Sequence, residues 1–181
     1  DVRVIHYQHG DLTTGGTSIE GTFQNLVDME EDPLACITVA GRAIRNRPGI
    51  LCDLSESLYR DDINIDAVAS GMDSITFYVN TAIAQRAEAT LHDEVVNDES
   101  LSSVTNESDF AVIRIMGGEL PNRPGVINEI VGPIAEAGIT IHDLVTSATS
   151  VAVFVEWDER EDVLSIVQEN VAISHDGVTR A

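Results

Sequence analysis

The sequence contains an internal repeat with an offset of 76 residues. Its clearest element is an Asn-Arg-Pro-Gly turn motif at residues 46–49, which recurs at residues 122–125. The same offset holds without a gap over residues 37–79, where apolar positions of one copy match apolar positions of the other. A repeat of this length is one supersecondary unit used twice, so we expect two modules of the same fold.

Each copy has the same predicted order of elements. A strand with alternating or continuous apolar residues comes first, at 35–40 and 110–116. The turn motif follows, and apolar residues at helical spacing after it predict a helix. Two strands and a second helix then follow, at 63–69, 75–79 and 84–95 in the first copy and at 139–146, 151–156 and 163–171 in the second. One more strand would make each copy an α+β unit of the βαββαβ type, an antiparallel sheet with helices on one face.

The two copies differ in where that last strand can come from. Residues 101–104 can supply it for the first copy, whereas the second copy ends after its helix. We expect the N-terminal part to supply it, with residues 16–23 as the strand, so that the first module is inserted into the second. The predicted boundaries are 1–34 for the N-terminal segment with this strand, 35–108 for the first module, 109–172 for the second and 173–181 for a tail.

The net charge of −21, from 31 acidic and 10 basic residues, excludes whole classes of partner. A surface of this charge repels nucleic acids and anionic membranes, so we expect neither as a partner. The acidic residues are spread along the chain, which predicts adaptation to concentrated salt, with an acidic interaction tail as the alternative. No apolar run is long enough to span a membrane and the N-terminus lacks signal-peptide features, which predicts a cytoplasmic protein. Cys36 and Cys52 are interpreted as small buried apolar residues of a reducing compartment, with a disulfide as the alternative.

The turn motif is the first candidate for a ligand site. Asn46 and Asn122 can cap the following helices, and the prolines after them suit a first helical turn. Gly49 and Gly125 lack a Cβ, so a ligand can approach the backbone closely. Such a helix start can hold a carboxylate through its amides, although turns of this kind also simply begin helices.

A second candidate feature lies on the strand after the first helix. An acidic side chain at Asp66 could pair with an ammonium group while the helix start holds a carboxylate, a combination that suits a free amino acid. Its counterpart in the second copy is His142. From spacing alone, Asp66 could equally be an ordinary solvated strand residue.

The strand, the Asn-x-Pro-Gly turn, the helix and Asn64-Ile65-Asp66 together resemble the ACT domain, a ferredoxin-like module that binds amino acids. Two such copies, with Met116-Gly117-Gly118 before the second turn and residues 146–153 after it, resemble the C-terminal half of the aspartate kinase family. Residues 2–4 and 16–19 resemble the handover from that family's catalytic domain.

This resemblance implies allosteric feedback inhibition by lysine, threonine or both, with homodimers formed through ACT domains that pair into eight-stranded sheets. A kinase catalytic domain, which phosphorylates the aspartate side chain with ATP, would be a partner in the same chain or as a subunit. Asn46 replaces an aspartate frequent in the family, and His142 replaces an acidic or polar residue. The residues that the resemblance implies in effector binding are Asn46, Gly49, Ile50, Asp66, Ser70, Asn122, Gly125, Val126, Ile127 and His142.

No catalytic, metal or cofactor motif is recognisable in the sequence. It has no Gly-x-x-x-x-Gly-Lys loop, no Gly-x-Ser-x-Gly elbow and nothing like the family's Lys-Phe-Gly-Gly phosphate loop. We therefore expect no catalytic residue, metal site or cofactor in this chain. The leading hypothesis is a regulatory region, the second is a free-standing double-ACT sensor that acts on another protein, and the third is an enzyme with an unrecognised site.

Overall fold

The computed structural model describes residues 2–4, 17–19, 26–42, 44–117 and 124–173. Within these ranges the chain forms nine strands and four α-helices. In chain order they are β1 (Val2–Val4), β2 (Thr17–Ile19), β3 (Leu26–Met29), β4 (Leu34–Ala40), α1 (Ile50–Arg60), β5 (Ala67–Ser70), β6 (Ser74–Asn80), α2 (Ala84–Asn97), β7 (Ser103–Met116), α3 (Val126–Glu136), β8 (Asp143–Thr146), β9 (Ser150–Glu156) and α4 (Arg160–Ile173).

The 76-residue repeat extends to the backbone geometry. Helices α1 and α3, strands β5 and β8, strands β6 and β9, and helices α2 and α4 have equal lengths and keep the offset. The Asp66 N–H donates to the Tyr78 carbonyl at 2.8 Å, and the His142 N–H donates to the Phe154 carbonyl at 2.9 Å. The duplicated sequence therefore folds into two equivalent modules, and the predicted α+β class is confirmed.

Strand β7 belongs to both sheets. The first sheet has the order β5-β6-β4-β7 and the second has the order β8-β9-β7-β3, so the two form one continuous seven-stranded structure. Residues 103–107 of β7 pair with β4, and residues 110–116 pair with β9. Between these parts, Asp109 has a φ of 70°, a left-handed conformation that Asp adopts more readily than most residues. The sequence predicted separate strands at 101–104 and 110–116, but residues 103–116 form one 14-residue strand.

The first module is inserted into the second, as predicted, but a different segment supplies the strand. Strand β3 pairs with the end of β7, with Met29 opposite Ile113. Residues 17–19 of the predicted segment pair instead with β1 in a separate two-stranded sheet. Strand β4 begins opposite Phe110, on the same side of β7 as β3. The strand that pairs with the rest of β7 on that side must therefore end close to β4 in the sequence. Only β3, four residues before β4, meets this requirement among the described strands.

Each module buries its own core between the sheet and its two helices. Alternate strand residues and helix residues three or four apart are apolar, which gives every element one apolar face. The largest buried side chains of the first core are Ile37, Leu54, Leu58, Ile75, Phe77 and Leu91, and those of the second are Ile113, Ile115, Ile130 and Ile134.

A third apolar cluster joins the two modules. Its buried members, Leu34, Tyr78, Val112 and Phe154, alternate with the residues that face the helices and therefore lie on the opposite faces of the sheets. The rings of Tyr78 and Phe154, which are counterparts in the repeat, stack with centroids 3.9 Å apart. The Tyr78 hydroxyl also donates to Oδ2 of Asp143 at 2.6 Å. The helix-free faces of the two modules thus pack against each other.

The cysteines differ from their predicted environment. Cys36 is only partly buried, beside the cluster between the modules, and Cys52 is exposed on α1. Cys52 directly follows Ile50 and Leu51 but lies off the stripe formed by Ile50, Leu54 and Leu58, so it does not reach the core. Both thiols are free.

The tyrosine hydroxyl between the modules can be tested by Tyr78→Phe. The substitution keeps the ring stack but removes a hydrogen bond to a carboxylate, so we expect a loss of about 1.5–3 kcal/mol in the free energy of unfolding. Tyr59→Phe is the control, because Tyr59 is 79% exposed. Urea unfolding measures both variants, and equal stabilities of the two would contradict a structural role for the Tyr78–Asp143 bond.

Candidate effector-binding site

The turn motif begins each helix differently from the prediction. Helix α1 begins at Ile50 with Gly49 as its N-cap, and α3 begins at Val126 with Gly125 as its N-cap. Asn46 ends a short 3-10 turn three residues earlier and does not cap α1. The glycines have φ values of 89° and 92°, a left-handed conformation that glycine adopts without steric cost and that turns the chain into the helix. The prolines precede this turn rather than entering the helix.

The glycine caps leave both helix starts uncovered. A glycine has no side chain that can accept from the first helical N–H groups, so these donors remain available. No atom of the described residues lies within 4 Å of a Cβ built at Gly49 or Gly125, and both residues are exposed. Asn46 is also exposed, whereas Asn122 lies outside the described residues. The turns are therefore open to a ligand or to another chain.

The residues that follow the two glycines have different environments. Ile50 and Val126 are 6% and 5% exposed and pack into the two cores, so they anchor the helices and do not line a surface site. The next residues, Leu51 and Ile127, are 43% and 41% exposed. Leu51 lies off the spacing of Ile50 and Leu54 and therefore does not reach the core. Both helix starts thus present a large apolar side chain to solvent.

The two residues predicted on the strand after α1 lie at opposite ends of the sheet. Ser70 pairs with Ile75, which is opposite Val39 near the end of β4, where the chain enters the turn motif. Asp66 bonds to Tyr78 instead, about 13 Å farther along the strand direction. Within one chain, the structure brings Ser70 to the turn end of the sheet and keeps Asp66 away from it.

Asp66 is an exposed residue whose carboxylate is nonetheless partly desolvated. Burial raises its pKa first and the nearby Glu30 raises it further, while a hydrogen bond from Asn64 at 3.1 Å and the charge of Arg114 oppose these effects. Arg114 itself pairs with Glu30. These partners lie on β7 and beside β3, so the start of β5 is in contact with the second module.

His142, the counterpart of Asp66, also lies between the modules. Its Nε2 is 2.9 Å from Oε1 of Glu156, and its ring meets Phe110 edge-on with centroids 4.9 Å apart. It lines a cavity of about 230 Å³ between the two sheets. The other lining residues are Cys36, Thr38, Thr76, Tyr78, Thr105, Glu107, Phe110, Asp143 and Phe154. This cavity is separate from the turn motifs.

Two further kinds of feature, a metal-binding cluster and a membrane-spanning helix, are absent from the described residues. The described ranges contain no cluster of three or more histidine, cysteine, aspartate or glutamate side chains suited to a metal ion. None of their helices has the length and the apolar character needed to cross a membrane.

Comparisons with known proteins agree with the two-module architecture. Models of the ACT domain family match residues 37–95 and residues 106–169. An aspartokinase of Mycolicibacterium smegmatis is 24% identical over 188 residues, which cover 95% of this chain and 44% of that protein. The chain therefore spans less than half the length of this relative.

Solved structures share the fold at low sequence identity. The regulatory subunit of aspartate kinase from Thermus flavus aligns with a TM-score of 0.72 and 23% identity, over 82% of this chain and 99% of that subunit. Aspartokinase III of E. coli, solved in complex with lysine and aspartate, aligns with a TM-score of 0.66 and 16% identity, over 82% of this chain and 33% of that protein.

The fold is thus a pair of ferredoxin-like α+β modules with the first inserted into the second. The chain belongs to the ACT domain family, with one ACT domain in each module.

The desolvation of Asp66 leads to a testable pH dependence. Because its pKa is raised in the folded state, the stability it contributes is full below the ordinary aspartate pKa and is lost as the pH rises through the folded value. We expect Asp66→Asn to raise the melting temperature at pH 7, with the gain shrinking towards pH 4. Asp93→Asn, at an exposed position on α2, is the matched control. Thermal unfolding at constant ionic strength measures the difference, and a gain that is independent of pH would contradict the assignment.

Proposed function

We propose that this chain is the regulatory region of an aspartate kinase and that it mediates feedback inhibition by an amino acid of the aspartate family. The observation that carries the proposal is the pair of interleaved ACT domains, an arrangement that aligns with nearly the whole regulatory subunit of the Thermus flavus enzyme. The similarity to the mycobacterial aspartokinase covers 95% of this chain and supports the same assignment. The protein would act in the cytoplasm beside a kinase catalytic domain.

The effector site is proposed to lie between two chains. Strands β5 and β8 are the outer strands of the described sheet, so each has one edge without a neighbouring strand. If the β5 strands of two chains pair antiparallel about a two-fold axis, the start of one β5 lies beside the end of the other. Asp66 of the partner subunit then approaches the Ser70 end of the first chain, where the turn motif lies. This pairing joins features that a single chain keeps about 13 Å apart.

The chemistry of the combined site suits a free amino acid. The open helix start at Gly49 offers N–H groups to a carboxylate, and Asp66 of the partner subunit offers a carboxylate to an ammonium group. Leu51 adds an exposed apolar side chain at the helix start. Lysine and threonine are the proposed effectors, and E. coli aspartokinase III has been solved with lysine. The equivalent site of the second module would use Gly125 and Ile127 at the helix start, together with Asn122 and with His142 of the partner subunit.

Effector binding can inhibit the kinase only if it favours one arrangement of the ACT domains over another. An effector that binds across two chains does so by stabilising the dimer in which the site is complete. Asp66 is suited to a site that is complete only in the dimer. The raised pKa of its carboxyl means that the ionised form lowers the stability of the single chain.

The binding test is a screen of the twenty amino acids by thermal unfolding and calorimetry, with sedimentation to report the dimer. We expect lysine or threonine to stabilise the chain, by about 2.7 kcal/mol at a concentration 100 times the dissociation constant. Asp66→Ala should weaken binding by about tenfold or more, because it removes a charge-assisted hydrogen bond. Asp93→Ala removes an equal charge from an exposed site on α2 and should leave the affinity unchanged.

If no aspartate-family amino acid binds to the folded dimer, the sensing function is wrong. If one binds and Asp66→Ala leaves its affinity unchanged, the site between chains is wrong. A free-standing sensor that regulates a different protein is the second candidate, and addition of effector to the chain together with a kinase catalytic domain separates the two. Effector-dependent inhibition of aspartate phosphorylation supports the regulatory region.

The charge of the chain supports a further proposal, adaptation to concentrated salt. With 31 acidic and 10 basic residues, repulsion destabilises the folded state at low ionic strength, and 1 M salt reduces its range to about 3 Å. We expect the melting temperature to rise steeply between 0.2 M and 2 M potassium chloride. A sucrose series of equal osmolality serves as the control and should give a smaller rise. Equal melting temperatures at both salt concentrations would contradict salt adaptation.

A further inference from the structure

The interface between the modules offers an internal comparison of two related sites. Since each module packs its helix-free face against the other, residues on one side have counterparts 76 positions away on the other side. Thr38 and His142 line the cavity of about 230 Å³, and their counterparts are Arg114 and Asp66. The cavity can therefore be compared with the place where Arg114 lies.

A glutamate occupies the same position in the cavity and in the surroundings of Arg114. Glu107 on β7 lies opposite Cys36 on β4. Glu30, just after β3, donates its backbone N–H to the carbonyl of Val112, which is the counterpart of Cys36. Strand β3 and the first part of β7 occupy the same place in their sheets, so Glu30 and Glu107 are equivalent although they lie outside the sequence repeat.

At the first place, an arginine side chain supplies a cation. The Arg114 guanidinium pairs with Glu30 and is close enough to Asp66 to lower the pKa of that carboxyl. The guanidinium thus pairs with Glu30 and lies near the carboxylate of Asp66, which belongs to a different element.

At the second place, Glu107 matches Glu30 but His142 takes the place of Asp66, and the second carboxylate belongs to Asp143, which also accepts from the Tyr78 hydroxyl. No arginine or lysine among the described residues lines it. Thr38 takes the place of Arg114, and its hydroxyl bonds to that of Thr76 at 2.9 Å. Glu107 and Asp143 line the cavity, and no basic side chain other than His142 does so. Within the described part of the chain, Glu107 makes no hydrogen bond or ion pair. Burial followed by the charges of Glu107 and Asp143 raises the pKa of the Cys36 thiol, which indicates a negative potential in the cavity.

We propose that the cavity between the modules binds a small organic cation with a guanidinium head group, held by the carboxylates of Glu107 and Asp143. The head group would take the place that the Arg114 guanidinium has at the equivalent position. Threonine hydroxyls at positions 38, 76 and 105 supply acceptors for its remaining N–H groups. The rings of Phe110 and Phe154 line the same space and can pack against the apolar part of the ligand.

Such a ligand would connect the two modules. Thr38 and Glu107 belong to the first sheet, whereas His142 and Asp143 belong to the second. The cavity is also distinct from the turn motifs, where the effector is proposed to bind through its carboxylate. The two proposals share only His142. Because the cation is proposed to bind through Glu107 and Asp143, the cation site stands or fails independently of the proposed function.

The test uses the whole chain and calorimetric titration with n-propylguanidinium, which has no carboxylate and cannot use the helix starts. We expect saturable binding of one molecule per chain. Tetramethylammonium, which carries the same charge but no N–H group, should bind at least tenfold more weakly, and so should n-propylammonium. Equal affinity for the three cations would overturn the guanidinium site in favour of charge attraction alone, and a failure to saturate would overturn it as well.

Two variants test the location. Glu107→Gln should weaken n-propylguanidinium binding by tenfold or more, while Glu99→Gln, which removes the same charge at an exposed position outside the cavity, should not. Thr38→Arg copies Arg114 into the cavity and should abolish binding while raising the melting temperature. The reverse change, Arg114→Thr, should create a second site and raise the stoichiometry from one to two. Unchanged affinity in Glu107→Gln would overturn the proposal even if the arginine variants fail to fold.

Discussion

The architecture depends on the pairing of β7 with partners from both modules. Its first part is the outer strand of the first sheet, and its last part is an inner strand of the second sheet, with β3 on one side and β9 on the other. Neither sheet is complete without it. Because β3 precedes the first module in the chain and pairs in the second, the modules cannot separate without breaking a sheet. Two copies of one unit therefore behave as a single structural unit.

This constraint explains the contact between the helix-free faces. A strand that leaves one sheet and enters the next must change direction, and the left-handed Asp109 lies at that point. The change of direction turns the helix-free faces towards each other, where Tyr78 stacks on Phe154. ACT-type sheets covered by helices on one face leave the other face to be buried, and here the duplicated unit buries it against its own copy.

The sequence predicted most of the fold because the repeat and the apolar periodicity act locally. The alternation in β4 and the spacing of Ile50, Leu54 and Leu58 each require one buried face, and the structure has both. Residues 16–23 were predicted as the strand that completes the second sheet, but β3 takes that position beside β7. The pairing depends on where β4 begins and not on the composition of the N-terminal segment. Asn46 was predicted as a helix cap because its side chain is suitable. The left-handed backbone at Gly49 determines the helix start instead. This conformation cannot be inferred from the asparagine at position 46.

The site could be predicted in its components but not in its geometry. The turn motif and Asp66 were identified by residue type, yet the strand register separates them within one chain, and the proposed site joins them through a second chain. The cavity between the modules was not predicted, because its residues come from five strands and share no motif. The repeat nonetheless contains a signal for it. Counterparts in the two cores stay apolar, such as Ile37 and Ile113, whereas some counterparts between the modules differ in charge, such as Thr38 and Arg114. Packing against helices constrains both copies alike, so differences concentrate where the copies meet and where their chemistry can diverge.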